Sequence, residues 1–163
     1  MNSILVLTTG GTIDKIYFDA SSEFEIGAPT VPAVFEEAGV TLTWRLEALM
    51  RKDSLELDDA DRGAIRAVCE QAPESRILIT HGTDTMDATA ERLIGISGKT
   101  IVLTGALAPA RFRTTDAIFN LGLALGGLQA LPPGVYLAMN GTLFPAGKVR
   151  KNRAAGRFES TEA

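Results

Sequence analysis

The sequence predicts an α/β protein with a doubly wound, mostly parallel sheet and helices on both of its faces. Short β-type runs alternate along the chain with segments whose apolar residues recur at helical spacing, which is typical of repeated strand–helix units. Most of the β-type runs are almost continuously apolar, as strands are when helices cover both faces of a sheet. Right-handed crossovers with short connections then favour the flavodoxin-like strand order 2-1-3-4-5.

Five strands are predicted from these runs, and they cover residues 4–8, 42–46, 76–80, 100–104 and 135–139. The run over 42–46 alternates polar and apolar residues, whereas the other four do not. The chain after Asn140 is expected to form a short hairpin or extension, and the residues from Arg153 to Ala163 a polar tail. We expect the whole chain, residues 1–163, to be a single domain.

Four helices are predicted between the strands, and they begin near Thr30, at Asp58 or Asp59, near Asp84 and at Thr114 or Thr115. The second helix is expected to bury Cys69 on its apolar face. The last helix, from Asp116 to Gln129, is expected to bury Ile118, Leu121 and Leu125, but it is apolar on more than one face. Because the sheet covers only one face of a helix, this pattern indicates a homo-oligomer of at least two subunits.

Composition and charge narrow the classes of function. The formal net charge of −4, from 16 basic and 20 acidic residues, argues against a nucleic-acid binder or a protein of anionic membrane surfaces. One cysteine and one histidine exclude an internal disulfide and a Cys-rich or His-rich zinc site. The N-terminus lacks the basic segment of a signal peptide, and no run reaches the ~20 apolar residues of a membrane span. We therefore expect a cytoplasmic protein that needs no metal or organic cofactor.

Hydroxyl-bearing turns follow the first and third predicted strands, at the edge of the sheet where ligands bind in this fold class. They read Thr8-Thr9-Gly10-Gly11-Thr12 and Thr80-His81-Gly82-Thr83-Asp84-Thr85. Their glycines allow close backbone approach and expose N–H donors, so we expect Gly11 and Gly82 to bind substrate. Threonine hydroxyls beside a carboxylate indicate a hydroxyl nucleophile, whereas His81 is expected to be a hydrogen-bonded strand-end residue.

Three better-known motifs do not fit this sequence. The nucleophile elbow G-x-S-x-G is absent, and so is the dinucleotide motif G-x-G-x-x-G. Gly98-Lys99-Thr100 imitates the end of a Walker A motif, but position 93 is Leu93 rather than Gly and the segment precedes a strand. The residues alone leave open a hydrolase, a binding module and a phosphate site at the first glycine turn.

The segments Thr9–Ile13 and Ile79–Met86 resemble the two signature motifs of the bacterial-type L-asparaginases. The first match is short, but the second covers eight residues, and both stand on the strands and in the order that the family has. Later blocks of the family's N-terminal domain are similar to residues 103–107, 119–121, 139–142 and 147–151. The resemblance implies hydrolysis of L-asparagine to L-aspartate and ammonia by a threonine hydroxyl, with L-glutamine as an open second substrate.

The resemblance also implies individual roles. Thr12 corresponds to the nucleophilic threonine, and Thr83 to the second threonine, which lies across the substrate. Asp84 corresponds to the carboxylate that meets the substrate amino group, and Lys151 to the lysine of a Thr–Lys–Asp arrangement. Ser54 is similar to the serine that holds the substrate α-carboxylate. Which threonine attacks first is left open.

Two departures from the family pattern bear on these roles. The family's loop tyrosine falls at Phe24, so Tyr17 on the same loop is the candidate replacement, with packing as its alternative role. The family's smaller C-terminal domain, which brings an acid towards the substrate amino group, is expected to be absent, and Glu23 or Glu25 is the local substitute. The second hypothesis is therefore a non-catalytic asparagine- or aspartate-binding module, in which Lys151 belongs to a solvated basic cluster.

Overall fold

The computed structural model describes residues 3–18 and 23–162. The strands in these ranges are β1 (Ile4–Gly10), β2 (Lys15–Phe18), β3 (Glu23–Ile26), β4 (Trp44–Lys52), β5 (Arg76–Thr80), β6 (Thr100–Thr104), β7 (Gly134–Met139), β8 (Thr142–Pro145), β9 (Val149–Asn152) and β10 (Arg157–Ser160). The helices are α1 (Val31–Glu37), α2 (Asp59–Gln71), α3 (Met86–Leu93) and α4 (Ala117–Ala130). Short 3-10 turns, Thr12–Asp14 and Ser54–Glu56, follow β1 and β4.

The central sheet has six strands in the order β4-β1-β5-β6-β7-β8. Neighbours from β4 to β7 run parallel, and β8 returns antiparallel beside β7 as the hairpin expected after Asn140. Numbering only the five predicted strands gives the order 2-1-3-4-5, so the predicted fold class and strand order are confirmed. The order reverses between β1 and β5, which opens a crevice at their carboxyl ends.

Helices cover both faces of the sheet, as predicted. On one face, α2 and α3 form a buried apolar cluster with Leu5 and Ile79, and Cys69 is buried within it. On the other face, α1 and α4 form a second cluster with Val6 and Leu78. Alternate residues of β1 and β5 thus enter two separate cores, which explains why these strands are apolar without a break.

The second strand begins later and is longer in the structure than predicted. Strand β4 covers Trp44–Lys52 rather than 42–46, and it lies at the edge of the sheet beside β1. Most of its side chains are exposed or only partly buried. Polar residues such as Glu47 and Arg51 therefore interrupt its apolar pattern, and a prediction from apolar runs ends too early.

The prediction of a polar tail from Arg153 onwards is wrong, because residues 157–160 form strand β10. Strands β9 and β10 make an antiparallel hairpin in which Phe158 pairs with Lys151 and is buried in the α2–α3 cluster. One apolar side chain in a polar segment carries almost no periodic signal, so the sequence alone did not reveal the hairpin. Its importance for function is that β9 carries Lys151 into the fold.

Helix α4 buries a different stripe from the predicted one. Leu121 is buried as expected, but Leu125 is only partly buried and Ile118 is exposed. The stripe instead follows the small residues Ala117 and Ala124, which let the helix lie close to the sheet. Neither α4 nor any other helix of the described residues has the length and apolarity that a membrane crossing requires.

Candidate active site

The turn after β1 rests on two glycines in the left-handed region of backbone space. Gly10 and Gly11 have φ angles of 104° and 87°. A Cβ on Gly11 would lie 2.5 Å from the backbone nitrogen of Gly82, so the turns after β1 and β5 meet backbone to backbone. The N–H of Gly11 donates to the carbonyl of Lys52 (3.0 Å) and is therefore not a free donor for a substrate. Gly11 can still let a substrate approach the backbone closely. The next residue, Thr12, stands half-buried at the carboxyl end of β1.

Ser54 packs against the turn after β5. A Cβ on Gly82 would lie 2.6 Å from the Cβ of Ser54. The Ser54 hydroxyl oxygen accepts a hydrogen bond from the N–H of Asp84 (3.2 Å), and the Ser54 carbonyl accepts one from the hydroxyl of Thr85 (2.8 Å). The Ser54 hydroxyl proton is not used in these bonds. Ser54 thus fixes the turn that carries Thr83 and Asp84, and its binding of a substrate carboxylate stays a prediction.

A lysine, a threonine and an aspartate form the centre of the site. Nζ of Lys151 donates to Oγ1 of Thr83 and to Oδ1 of Asp84, each at 2.8 Å. The side chain of Lys151 is only 13% exposed and that of Asp84 is 30% exposed, and Thr83 is buried. Because an amine here faces both a hydroxyl and a carboxylate, the cluster has the parts needed to move a proton to or from a threonine.

A second cation, Arg153, also reaches Asp84. Its Nε lies 3.5 Å from the carboxylate Oδ1, and its Nη2 donates to the backbone carbonyl of Asp84 (3.2 Å). The hydrogen bond from Lys151, supported by the charge of Arg153, holds the pKa of the Asp84 carboxyl below its ordinary value. Asp84 is thus held as an anion between two cations, and a pocket of 300 Å³ lined by residues 150–153 opens beside those cations.

His81 is completely buried and both of its ring nitrogens are engaged. The carbonyl of Gly82 can only accept, so Nδ1 donates to it (2.7 Å), and Nε2 accepts from the hydroxyl of Thr89 (2.8 Å). Thr89 in turn accepts from Nε of Arg62 (3.1 Å). Burial lowers the pKa of His81 to about 4, so the ring is neutral near pH 7. It holds the turn before Thr83, in line with the predicted strand-end role.

The pocket in front of Thr12 is apolar. Its volume is 210 Å³, and its lining residues are Thr12, Lys15, Phe24, Pro109 and Phe112. The ring centroids of Phe24 and Phe112 lie 5.7 Å apart, and Tyr17 packs edge-on against Phe24 at 5.5 Å. Strands β2 and β3 form an antiparallel hairpin that pairs Tyr17 with Phe24, so this segment is a hairpin rather than the expected loop. Tyr17 is exposed, and its catalytic role stays a prediction.

Four of the predicted site residues form one hydrogen-bonded cluster: Ser54, Thr83, Asp84 and Lys151. Among the described residues, no side-chain hydrogen bond joins Thr12 to this cluster, and the glycine turns make the connection through the backbone. The two candidate acids, Glu23 and Glu25, are exposed on β3. Across residues 3–18 and 23–162, no group of three His, Cys, Asp or Glu side chains could hold a metal ion.

The family model described as "Asparaginase, N-terminal" matches residues 3–162. The chain belongs to the asparaginase family. It is 29% identical to a glutaminase-asparaginase of Acinetobacter glutaminasificans, over 92% of this chain and 50% of the relative. It is 33% identical to an L-asparaginase of Thermococcus kodakarensis, over 94% of this chain and 48% of the relative. The chain therefore spans about half the length of these curated asparaginases.

Solved asparaginase structures match the fold over nearly the whole chain. The thermostable L-asparaginase from Thermococcus kodakarensis gives a TM-score of 0.83 at 27% identity, covering 98% of this chain and 51% of that one. L-asparaginase I from Vibrio cholerae gives 0.81 at 25% identity, covering 97% and 51%. The predicted family resemblance is thus confirmed in both sequence and fold.

Three residues of this asparaginase domain were not singled out from the sequence. Arg62 and Thr89 lie on different helices, and only the packing of α2 on α3 brings them to His81. Thr89 could have been noticed because it is a polar residue on the apolar face of α3, close to the second motif. Arg153 was recognised only as a member of the basic segment, because nothing in its spacing indicated that it would turn towards Asp84.

Proposed function

We propose that this domain hydrolyses the side-chain amide of L-asparagine to L-aspartate and ammonia. The observation that carries the proposal is the hydrogen-bonded trio of Thr83, Lys151 and Asp84 beside the turn of Thr12. A solvated basic cluster, the alternative for Lys151, does not account for an ammonium that is only 13% exposed and donates to a buried threonine hydroxyl. Family membership supports the same reaction, and L-glutamine is the second amide to test because several relatives are named glutaminase-asparaginase.

The proposed reaction proceeds through an acyl-threonine. The hydroxyl of Thr12 attacks the amide carbon, its proton passes through the Thr83–Lys151 pair to the amide nitrogen, and the C–N bond breaks to release ammonia. Water then hydrolyses the ester and restores the hydroxyl. In a second version, Thr12 instead positions a water that attacks directly. Either version needs Lys151 as a neutral amine for part of the cycle.

Binding groups surround the reacting amide in this proposal. Asp84 accepts from the substrate ammonium, and the hydroxyl proton of Ser54 reaches the α-carboxylate. Because the Gly11 N–H is already bonded, the backbone N–H groups of Thr12 and Thr83 are the proposed donors to the oxyanion. Gly11 and Gly82 contribute by letting the backbone approach the substrate closely.

A non-catalytic amino-acid-binding module is the second candidate. It is favoured by Phe24, which lines the pocket of Thr12 where the resemblance implies a tyrosine hydroxyl. It would bind L-asparagine or L-aspartate without turnover.

Ammonia release from L-asparagine and L-glutamine, measured beside calorimetric binding of L-aspartate, separates the two candidates. Release that disappears in Thr12→Val and Thr83→Val supports the hydrolase, whereas binding without release supports the module. As a matched control, Thr114→Val removes an exposed hydroxyl and should leave both readings unchanged.

Homo-oligomerisation is part of the proposal. On the outer face of α4, Ile118 is exposed and Phe119 is 66% exposed. Leu107, in the segment that precedes α4, is also exposed. Neighbouring exposed apolar side chains that form one patch are typical of a surface that contacts another protein. Light scattering should give at least twice the 17.3 kDa of the chain, and a mass of one chain would contradict the proposal.

The cytoplasmic location stays a prediction. One similar structure, from Campylobacter jejuni, is named as a probable cytoplasmic L-asparaginase, whereas a relative from Haemophilus influenzae is named as probable periplasmic. Cell fractionation decides between the two compartments.

A further inference from the structure

The base of the β2–β3 hairpin is fastened by three side chains from separate segments, which we call the hairpin clamp: Asp14, Thr30 and Arg111. The buried carboxylate oxygen Oδ1 of Asp14 accepts from the backbone N–H of Thr30 (2.9 Å) and from its hydroxyl (2.8 Å). Thr30 is the residue before α1, yet its side chain makes no cap bond to that helix. Its hydroxyl serves the hairpin base instead.

Arg111 closes the clamp from the loop between β6 and α4. Its Nη1 donates to the carbonyl of Asp14 (3.3 Å) and its Nη2 to the carbonyl of Ala28 (3.1 Å), so one guanidinium bridges both ends of the hairpin. The N–H of Gly27 donates to the same Asp14 carbonyl (2.8 Å). The fork geometry of arginine suits two carbonyls on the segments that flank the hairpin, which a lysine ammonium on one flexible stem cannot span equally well.

The clamp holds the same short turn that presents Thr12. Asp14 is the last residue of that turn, and its N–H donates to the carbonyl of Gly11 (3.2 Å). The hairpin that starts directly after Asp14 carries Phe24, which forms a wall of the pocket in front of Thr12. No clamp residue belongs to the cluster of Thr83, Asp84 and Lys151. Loss of the Arg111 bonds therefore changes the shape of the pocket beside the hairpin, whereas the bond from Asp14 N–H to Gly11 still holds the turn of Thr12 and the proton-transfer cluster is not touched.

We propose that Arg111 is a positioning residue that holds the hairpin against the substrate pocket, so that loss of its two carbonyl bonds weakens substrate binding more than it slows the chemical step. The proposal rests on the proposed hydrolysis of L-asparagine. Its physical basis is that only the fraction of molecules with the hairpin in place binds substrate well, so the apparent affinity falls with that fraction.

Steady-state kinetics on L-asparagine test this in Arg111→Ala, Arg111→Lys and the control Arg113→Ala, which removes an exposed arginine from the same loop. We expect KM to rise about fivefold to tenfold in Arg111→Ala with kcat within about twofold. Arg111→Lys should fall between that variant and the wild type, and Arg113→Ala should match the wild type. An unchanged KM, a fall in kcat alone, or an equal effect of Arg113→Ala overturns the proposal.

Amide hydrogen exchange supplies a reading that does not depend on activity. In Arg111→Ala, the amides of Ile16 and Glu25, which form a hydrogen-bonded pair of the hairpin, should exchange about tenfold faster, whereas those of Leu78 and Val102 in the central sheet should not change. Faster exchange throughout the sheet would indicate a general loss of stability and would overturn the positioning role. If the wild type releases no ammonia, the proposed function fails, and the exchange pattern still decides whether the clamp holds the hairpin.

Discussion

The two threonines of the site stand in opposite surroundings. Thr83 is buried, and its hydroxyl is fixed at 2.8 Å from an ammonium that is itself nearly enclosed. Thr12 is half-buried, makes no side-chain hydrogen bond to the cluster of Thr83 within the described part of the chain, and lines an apolar pocket beneath a hairpin. Both follow central strands of the same sheet, so the difference comes from what packs over each strand end. In the proposed reaction, the half of the site with Thr83 transfers protons and the half with Thr12 admits the substrate.

The hydrogen bonds behind each threonine reinforce this difference. Behind Thr83, the neutral ring of His81 connects the turn to α3 and, through Thr89, to Arg62 on α2. Behind Thr12, the support is the hairpin clamp, whose members come from segments outside the central sheet. Buried, fully paired networks resist rearrangement, whereas elements held by a few bonds open more readily. We therefore expect substitutions in the two halves to differ in kind.

The largest expected effect is loss of either hydroxyl. Thr12→Val and Thr83→Val keep the shape of the side chain, and each should lower kcat for L-asparagine about a thousandfold while thermal unfolding stays close to the wild type. Ammonia release and a melting curve measure the two quantities. Near wild-type turnover in Thr12→Val would mean that the nucleophile has been wrongly assigned.

Lys151→Met should come next. The substitution keeps the stem and removes the amine that donates to Thr83 and Asp84, so most activity should disappear, and ammonia release measures the loss. Lys148→Met is the matched control, because Lys148 lies on the same basic segment but pairs with Glu162 at the surface. Near wild-type turnover of L-asparagine in Lys151→Met would mean that Lys151 belongs only to the solvated basic cluster.

A smaller effect is expected behind Thr83. Thr89→Val removes the hydroxyl that accepts from Arg62 and donates to His81, which leaves the buried Nε2 without that partner. The free energy of unfolding should fall by about 1–3 kcal/mol, and kcat should fall less than in Thr83→Val. Thr89→Ser restores the hydroxyl and should recover both. If Thr89→Val were as stable as the wild type, the network would not support the turn.

The smallest effect concerns the pH dependence of stability in the half with Thr12. Burial raises the pKa of the Asp14 carboxyl above its ordinary 3.8, although the bonds from Thr30 oppose the shift. Such a group favours the folded state most below pH 3.8, and that advantage is lost as the pH rises through the folded-state pKa. Relative to Asp14→Asn, the wild type should therefore lose unfolding free energy as the pH rises through this range.

Urea unfolding of the wild type and Asp14→Asn at several pH values measures the difference. If the difference in unfolding free energy between the two proteins were the same at every pH, the Asp14 carboxyl would titrate alike in the folded and unfolded chains, and the prediction would be wrong. Glu162→Gln, at an exposed ion pair, is the control and should give nearly parallel curves.

The sequence predicted the parts of the molecule that repeat a pattern. The unbroken apolar runs of β1 and β5 defined the sheet, and the two motifs located Thr12, Thr83 and Asp84 at its carboxyl edge. Lys151 was assigned from the family resemblance, and the structure places its ammonium against Thr83 and Asp84. The structural roles of Phe158, Arg153 and Arg111 were not predicted. Each depends on contacts with residues distant in the sequence, and such contacts produce no periodic pattern of apolar residues.

Helix α4 places glycines on both of its faces. A Cβ on Gly127 would meet a methyl group of Leu143 at 2.9 Å, so glycine suits the packed side. Nothing among the described residues lies within 4 Å of such a Cβ on Gly122 or Gly126, which face outwards. Alanine in an exposed helix interior is worth about 1 kcal/mol over glycine. Gly122→Ala therefore shows whether a partner packs against this face of α4. The substitution raises the melting temperature of a monomeric chain, and it weakens any assembly in which a partner packs against the helix backbone at this face.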